Sequence, residues 1–231
     1  MEVQTNTSGR WSYSADLSIF QAMWRDFVAR KSREVLVVYD VDDLMWPLTI
    51  RLAQRGGIDV ERVLSNFTIR GNPLLTPEEQ HYIIDGFGKV ESFRDIQFYD
   101  GVQDILKPRE LGAKVVINSN SFSQEISEAK TEQLLAAVPG LGLSDIQMNV
   151  INYSGAQSKA LHRDIAFLAE DSPHNVAKSD ALCSVVPSYM NWAVCPSAIQ
   201  TMLGKRVVAR STLTEINQFI YDGTRYIMER M

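Results

Sequence analysis

The chain has 231 residues, of which 45% are hydrophobic and 22% charged, and its net charge is −5 at pH 7. This composition fits one globular α/β domain with a small accessory domain, and the negative charge argues against nucleic-acid polymers or anionic membranes as partners. No apolar run approaches about 18 residues, so no membrane span is expected. The polar arm at residues 1–14 does not resemble a secretory signal, and Cys183 and Cys195 are expected to be reduced thiols of a cytoplasmic protein.

Strands and helices alternate along most of the chain after this arm. Helices are predicted over residues 15–30, 102–111 and 123–138, near Lys159, and after Ser211 or Thr212. Strands are predicted over residues 34–40, 114–119, 164–170 and 181–186, with a short edge strand over 204–209. Because these runs are apolar without alternation, they indicate strands buried on both faces. The pattern predicts a doubly wound parallel sheet of the Rossmann-like α/β class.

Residues 47–98 interrupt this alternation. They contain a stretch capped by Asp59 and then Thr76-Pro77-Glu78-Glu79, which has the spacing of a capping box with proline at the first helical position. The helix that begins there is predicted to run to about residue 92. The sequence therefore predicts a helical insertion over 47–98, within a core made of residues 15–46 and 99–231.

Polar residues stand where three of the predicted strands end, and parallel sheets bind ligands beyond these carboxyl ends. The set comprises Asp40, Asp42 and Asp43, then Ser119 and Asn120, then Glu170 and Asp171, with Lys159 ahead of the third strand. Clustered carboxylates repel one another unless a cation neutralises them, and Mg²⁺ prefers such oxygen ligands. With hydroxyl, amide and ammonium donors nearby, the set suits phosphoryl transfer.

Asp40 and Asp42 are two residues apart, so continued strand geometry would place both side chains on one face. One carboxylate could attack phosphorus, and the other could protonate the leaving alcohol and then deprotonate water. The residues alone do not assign these roles.

Two assignments remain open. Lys178 is an alternative to Lys159 as the phosphate-binding lysine. Asn175 could orient Lys159 or a metal-bound water, or it could cap a helix that begins at Val176.

The motifs carry a resemblance to a known family. Asp40-Val-Asp42-Asp43, after its apolar strand, resembles the first motif of the haloacid-dehalogenase-like (HAD) superfamily. Residues 115–120 resemble the second motif, Lys159 the third and residues 167–175 the fourth, in the family's order. Leu44 departs from the Thr or Val usual at its position. A second acid at position 42 argues against dehalogenase chemistry.

The resemblance implies a Rossmann-like core with Asp40 as the nucleophile and Asp42 as the general acid/base. It implies Mg²⁺ held by Asp40, the backbone carbonyl of Asp42 and Asp171. Ser119, with Asn120 beside it, and Lys159 would bind the phosphate. Asp43, Glu170 and Asn175 are candidates for supporting these ligands. The insertion over 47–98 would be a cap domain of type C1, which closes over the site and excludes water.

These expectations describe a Mg²⁺-dependent phosphatase acting on a small phosphorylated metabolite. Residues 170–175 and 187–191 are similar to the 5′(3′)-deoxyribonucleotidase-like branch, so a nucleotide is one substrate hypothesis, and Trp46, Phe67, Phe87 and Phe93 could stack on a base or form cap core. A catalytically weak HAD-like binding or assembly module is the alternative. A phospho-accepting receiver is disfavoured by chain length and by the acid that follows the lysine. The N-terminal helix could form a homodimer, but the sequence does not decide the oligomeric state.

Overall fold

A computed structural model describes residues 14–65, 69–151, 163–188 and 204–231. These residues form a six-stranded, wholly parallel sheet in the order β3-β2-β1-β4-β5-β6. The strands are β1 Leu36–Tyr39, β2 Lys114–Ser121, β3 Ile146–Val150, β4 Ile165–Ala169, β5 Cys183–Pro187 and β6 Val207–Arg210. The strand order changes direction between β1 and β4, as in doubly wound sheets. The predicted Rossmann-like α/β class is confirmed.

Seven α-helices lie within these described ranges. They are α1 Ser14–Ala29, α2 Leu48–Arg55, α3 Val60–Leu64, α4 Pro77–Phe87, α5 Gln124–Ala137, α6 Pro173–Lys178 and α7 Leu213–Met228. The last helix begins after Thr212, whose hydroxyl accepts the N–H of Glu215 at 3.1 Å, so Thr212 and not Ser211 is its N-cap. No helix in this part of the chain combines the length and apolar character needed to cross a membrane.

The sheet is buried on both faces, which explains why the strands do not alternate. Val37 and Tyr39 of β1 belong to the main core cluster, whereas Leu36 and Val38 belong to a second cluster on the opposite face. In the main cluster, α7 approaches the sheet closely at Gly223. A Cβ at this position would lie 2.4 Å from the ring of Phe167, so only glycine fits.

Two predictions about elements in the core are corrected. Strand β3 was missed because it lies at the edge of the sheet and contains Gln147 and Asn149, so it lacks an apolar run. The helix predicted over 102–111 is instead two 3₁₀ segments, Val102–Asp104 and Lys107–Leu111. Pro108 lacks an N–H and its ring excludes a continuous α-helix through this stretch.

Helices α2, α3 and α4 occupy the predicted insertion between β1 and β2. Asp59 caps α3 by accepting the N–H of Glu61 at 2.9 Å, and Thr76 and Glu79 form the predicted capping box of α4. Arg62 of α3 pairs with Glu79 at 2.7 Å, which joins these two helices. Helix α4 ends at Phe87, earlier than predicted, and a separate 3₁₀ turn follows over Val90–Ser92.

Candidate active site

Three carboxylates meet at the carboxyl ends of β1 and β4. Asp40 follows β1, and Glu170 and Asp171 follow β4, so neighbouring strands bring them together. Carboxylate oxygens of these three residues all lie within 4.8 Å of one another. Asp40 N–H donates to the carbonyl of Ala169 at 2.9 Å, so the parallel pairing of the two strands extends into the site and fixes the spacing of the acids.

The acids are crowded in a poorly solvated environment. Burial, followed by the charges of Asp40 and Glu170, raises the pKa of Asp171 well above its usual range. The neighbouring Asp43 is also affected: burial, aided by the charges of Asp42 and Asp40, raises the pKa of Asp43 to about 7, although hydrogen bonds from Thr49 oppose the shift. Three converging carboxylates that repel one another fit a divalent cation such as Mg²⁺.

The Asp42 carboxylate lies outside this trio and is held by two donors. Its Oδ1 accepts the indole N–H of Trp46 at 2.9 Å, and its Oδ2 forms an ion pair with the ammonium of Lys130. The Asp42 side chain is 28% exposed, whereas that of Lys130 is 1% exposed. Asp42 is therefore a fixed, solvent-accessible carboxylate beside the acid trio.

Lys130 is the functional candidate that the sequence motifs missed. It lies in α5, and its ammonium donates to the carbonyl of Asn120 at 2.7 Å and to the hydroxyl of Ser119 at 3.4 Å. A signal was present in the sequence, because Lys130 lies between Ile126 and Leu134 on the buried stripe of α5. A lysine in such a stripe needs polar partners, and here they are the predicted site residues.

The end of β2 holds Ser119 and Asn120 close to this lysine. Asn149 of β3 donates to Asn118 Oδ1 at 2.7 Å and to the Ser119 carbonyl at 3.1 Å, so the strand end is fixed by its neighbour. Within the described chain, the buried Oδ1 of Asn120 has no hydrogen-bond partner. Neither residue caps the following helix, because Ser123 is the N-cap of α5.

Asp43 connects the site to the insertion. It is a non-glycine residue with φ +57°, and its Oδ1 accepts the N–H of Thr49 at 2.7 Å while its Oδ2 accepts the Thr49 hydroxyl. Pro47, the residue before α2, provides no side-chain cap. Asp43 therefore caps the first helix of the insertion.

The remaining predicted residues fall in three places. Lys159 lies outside the described residues, so its role stays a prediction. Lys178 ends α6 and lines a cleft with Arg206, at the opposite edge of the sheet from the acids, so it is not a phosphate-binding candidate. Asn175 lies in the first turn of α6, which begins at Pro173, so the alternative in which it caps a helix beginning at Val176 is wrong, and its support of Lys159 or a metal-bound water stays a prediction.

Sequence comparisons find no matching protein-family model and no matching curated protein. Among solved structures, the chain is similar to the one described as "Putative beta-phosphoglucomutase from Bacteroides vulgatus". The identity is 12%, the TM-score is 0.50, and the alignment covers 91% of this chain and 99% of that one. At this identity the similarity shows a shared fold.

Proposed function

We propose that this protein is a HAD-like phosphohydrolase that cleaves small phosphate monoesters through an aspartyl-phosphate on Asp40. The observation that carries the proposal is the convergence of Asp40, Glu170 and Asp171 within 4.8 Å, with Asp42 and Lys130 beside them. Ligands of parallel sheets bind at this edge, and the residues combine a nucleophile, an acid/base and a cation.

The reaction uses the two aspartates in sequence. Asp42 has to carry a proton when the ester binds. An oxygen of Asp40 attacks phosphorus, the bond from phosphorus to the ester oxygen breaks, and Asp42 gives this proton to the departing alkoxide oxygen. Asp42 then takes a proton from water as the water oxygen attacks the phosphorus of the aspartyl-phosphate. The bond from phosphorus to the Asp40 oxygen breaks, Asp40 leaves as a carboxylate, inorganic phosphate is released and Asp42 is protonated again.

The charge of the phosphate requires cations on both sides. Asp40, Glu170 and Asp171 would hold Mg²⁺, which when bound neutralises charge on the phosphoryl oxygens. The Lys130 ammonium, together with the hydroxyl of Ser119, would bind the phosphate from the side of β2. Glu170 thus joins the predicted metal ligands, and Lys130 takes a role that the motifs assign to Lys159.

A cleft of about 850 Å³ lies between the insertion and α5, and Lys89, Arg94, Glu91 and Gln133 are among its lining residues. None of the proposed catalytic or metal-binding residues lines this cleft, so it does not define the leaving group. Stacking of a base on Trp46 or Phe93 is unfavourable, because both rings are fully buried; Phe67 lies outside the described residues. The substrate panel should therefore include nucleotides, sugar phosphates and short-chain alkyl phosphates, and we propose no preference among these classes.

The test is a panel of phosphate monoesters, including p-nitrophenyl phosphate, with and without millimolar Mg²⁺. We expect Mg²⁺-dependent phosphate release that falls by at least about a thousandfold in Asp40→Asn, because the nucleophile is lost. Asp26→Asn is the matched control, since Asp26 pairs with Arg206 far from the acids and should retain wild-type turnover. If wild type and Asp40→Asn are equally inactive, the hydrolase proposal fails and a binding or assembly module is favoured.

A second candidate is transfer of the same phosphoryl group to a sugar hydroxyl instead of water. The fold shared with a protein described as a phosphoglucomutase favours including this reaction. Incubation with β-glucose 1-phosphate distinguishes the two, since hydrolysis releases inorganic phosphate and transfer gives an isomeric sugar phosphate. Release of inorganic phosphate alone would remove this candidate.

A further inference from the structure

Two short segments connect the insertion to the core. Residues 44–47 lead from the catalytic loop into α2, and residues 93–99 return from the insertion. The segments touch, because Tyr99 N–H donates to the carbonyl of Met45 at 2.8 Å. Each carries a fully buried aromatic residue, Trp46 on the outgoing segment and Phe93 on the returning one.

Trp46 binds the proposed acid/base directly. Its indole N–H donates to Asp42 Oδ1 at 2.9 Å, and its ring packs 5.0 Å from Phe98 and 6.3 Å from Phe93, measured between ring centroids. Both aromatic neighbours lie on the returning segment. The orientation of the indole, and so of its N–H, is therefore set by where the returning segment lies.

Phe93 contacts the other group that binds Asp42. The Lys130 ammonium lies 4.8 Å from the centroid of the Phe93 ring, a cation–π distance. The Phe93 carbonyl also accepts the side-chain amide of Gln133, one turn further along α5. Since Lys130 pairs with Asp42 Oδ2, both oxygens of this carboxylate are held by groups that contact the connecting segments.

We infer that Trp46 and Phe93 are positioning residues that make the orientation of the Asp42 carboxylate depend on the placement of the insertion. The inference rests on the proposed function. A shift of the insertion moves both aromatic residues and hence both donors of Asp42. Proton transfer requires heavy atoms about 2.6–3.2 Å apart, so a displaced carboxylate loses its acid/base role while Asp40 keeps its own.

This arrangement predicts a dependence on the leaving group. A short-chain alkyl phosphate releases a poor leaving group that needs a proton from Asp42, whereas p-nitrophenolate leaves without one. Trp46→Phe keeps an aromatic ring beside Phe98 but removes the indole N–H. The second step uses Asp42 as a base with either ester, so the rates compared are those of the first step, measured in single turnovers. We expect the rate of alcohol release from the alkyl ester to fall about tenfold, as for a lost hydrogen bond to a charged group, with the rate of p-nitrophenolate release within about threefold of wild type.

Trp24→Phe is the matched control, because Trp24 is half-buried in α1 and stacks on Phe27 far from the acids. Equal losses in the first-step rate on both esters in Trp46→Phe, or first-step rates equal to those of Trp24→Phe, would overturn the inference while leaving the hydrolase proposal intact. An inactive wild type would overturn both. The melting temperature of each variant, followed by circular dichroism, shows whether it is folded.

If Trp46→Phe does not fold, Phe93→Leu carries the test. It keeps an apolar side chain but removes the ring beside the Lys130 ammonium. We expect the same preferential loss on the alkyl ester, by at least about threefold, which corresponds to the weaker end of the cation–π range. Phe27→Leu is its control for the loss of a buried ring in α1, and an equal loss on both esters would contradict the inference.

Discussion

The two edges of the sheet hold their charged side chains in different ways. At the carboxyl edge, Asp40, Glu170 and Asp171 crowd together, and repulsion contributes to the raised pKa of Asp171. At the amino edge, a cleft of about 480 Å³ is lined by several cations, including Lys178 and Lys205. The carboxyl edge concentrates carboxylates beside Lys130, whereas the amino edge has cations spaced among backbone carbonyls.

Cations of the amino edge are used to satisfy the backbone. Arg30 donates to the carbonyl of Asp180 at 2.6 Å, and Lys205 donates to the carbonyl of Ser179. Arg206 donates to a backbone carbonyl and pairs with Asp26 at 3.0 Å. Such contacts stabilise the segments that precede β5 and β6. Because these cationic groups already have partners in the protein, they are poorly suited to binding a ligand.

We interpret the difference as a division between structural charge at the amino edge and the charge of the proposed active site at the carboxyl edge. A carboxylate placed among other carboxylates costs folding free energy, so it is retained where a ligand compensates it. A hydrogen bond from a cationic side chain to a backbone carbonyl stabilises the folded state without any ligand. The comparison predicts that a substitution at the carboxyl edge will mainly lower kcat/KM, whereas a matched substitution at the amino edge will mainly lower the free energy of unfolding.

The largest expected effect within this comparison comes from the two lysines. Lys130→Met should lower kcat/KM on p-nitrophenyl phosphate by about a hundredfold, since it removes a charged donor for the phosphoryl group. Lys205→Met should leave kcat/KM within about twofold and lower the free energy of unfolding by about 1 kcal/mol. Steady-state kinetics and urea denaturation of both variants provide the measurements. Equal kinetic losses would show that the edges do not differ in this way.

A smaller effect is expected on thermal stability at the carboxyl edge. Burial and the neighbouring acids oppose the ionisation of Asp171, and this costs folding free energy at pH 7. Asp171→Asn removes this cost, so at pH 7 the metal-free variant should melt about 2–4 °C above wild type. Mg²⁺ should raise the melting temperature of wild type through binding to the native state, and should not raise that of the variant. Asp180→Asn at the amino edge should leave the Mg²⁺ effect unchanged. A variant that still responds to Mg²⁺ would show that Asp171 is not a ligand.

The same contrast explains what the sequence could predict. The strands β1, β2, β4 and β5 were recognisable because burial on both faces requires continuous apolar runs. The polar residues after them followed from the geometry of parallel sheets. Strand β3 was not predicted, because it is a half-exposed edge strand in which polar residues such as Gln147 and Asn149 are tolerated.

Site residues that depend on tertiary contacts were harder to identify. Lys130 lies on a helix, ten residues from Asn120, and only the folding of α5 against β2 brings the two together. The expected support of the metal ligands by Asp43 stays a prediction, but its contact with Thr49, through which it caps α2, was not foreseen. The order of the motifs predicted which strands end in acidic residues. It did not predict the contacts of Lys130 with Asn120 or of Asp43 with Thr49, because these form only in the folded chain.

The smallest expected effect concerns the reactivity of Cys183, the first residue of β5, whose side chain is fully buried. Burial raises the pKa of the Cys183 thiol to about 12, although the charges of Arg206 and Arg210 oppose the shift. In a Cys195→Ser background, the remaining thiol should not react with a disulfide reagent at pH 8 until the protein is unfolded. The fold favours the neutral thiol, so its stabilising contribution is present below the ordinary pKa near 9 and is lost as the pH rises towards 12. Rapid modification of the folded protein would mean that this edge is open to solvent, and the contrast with the carboxyl edge would no longer hold.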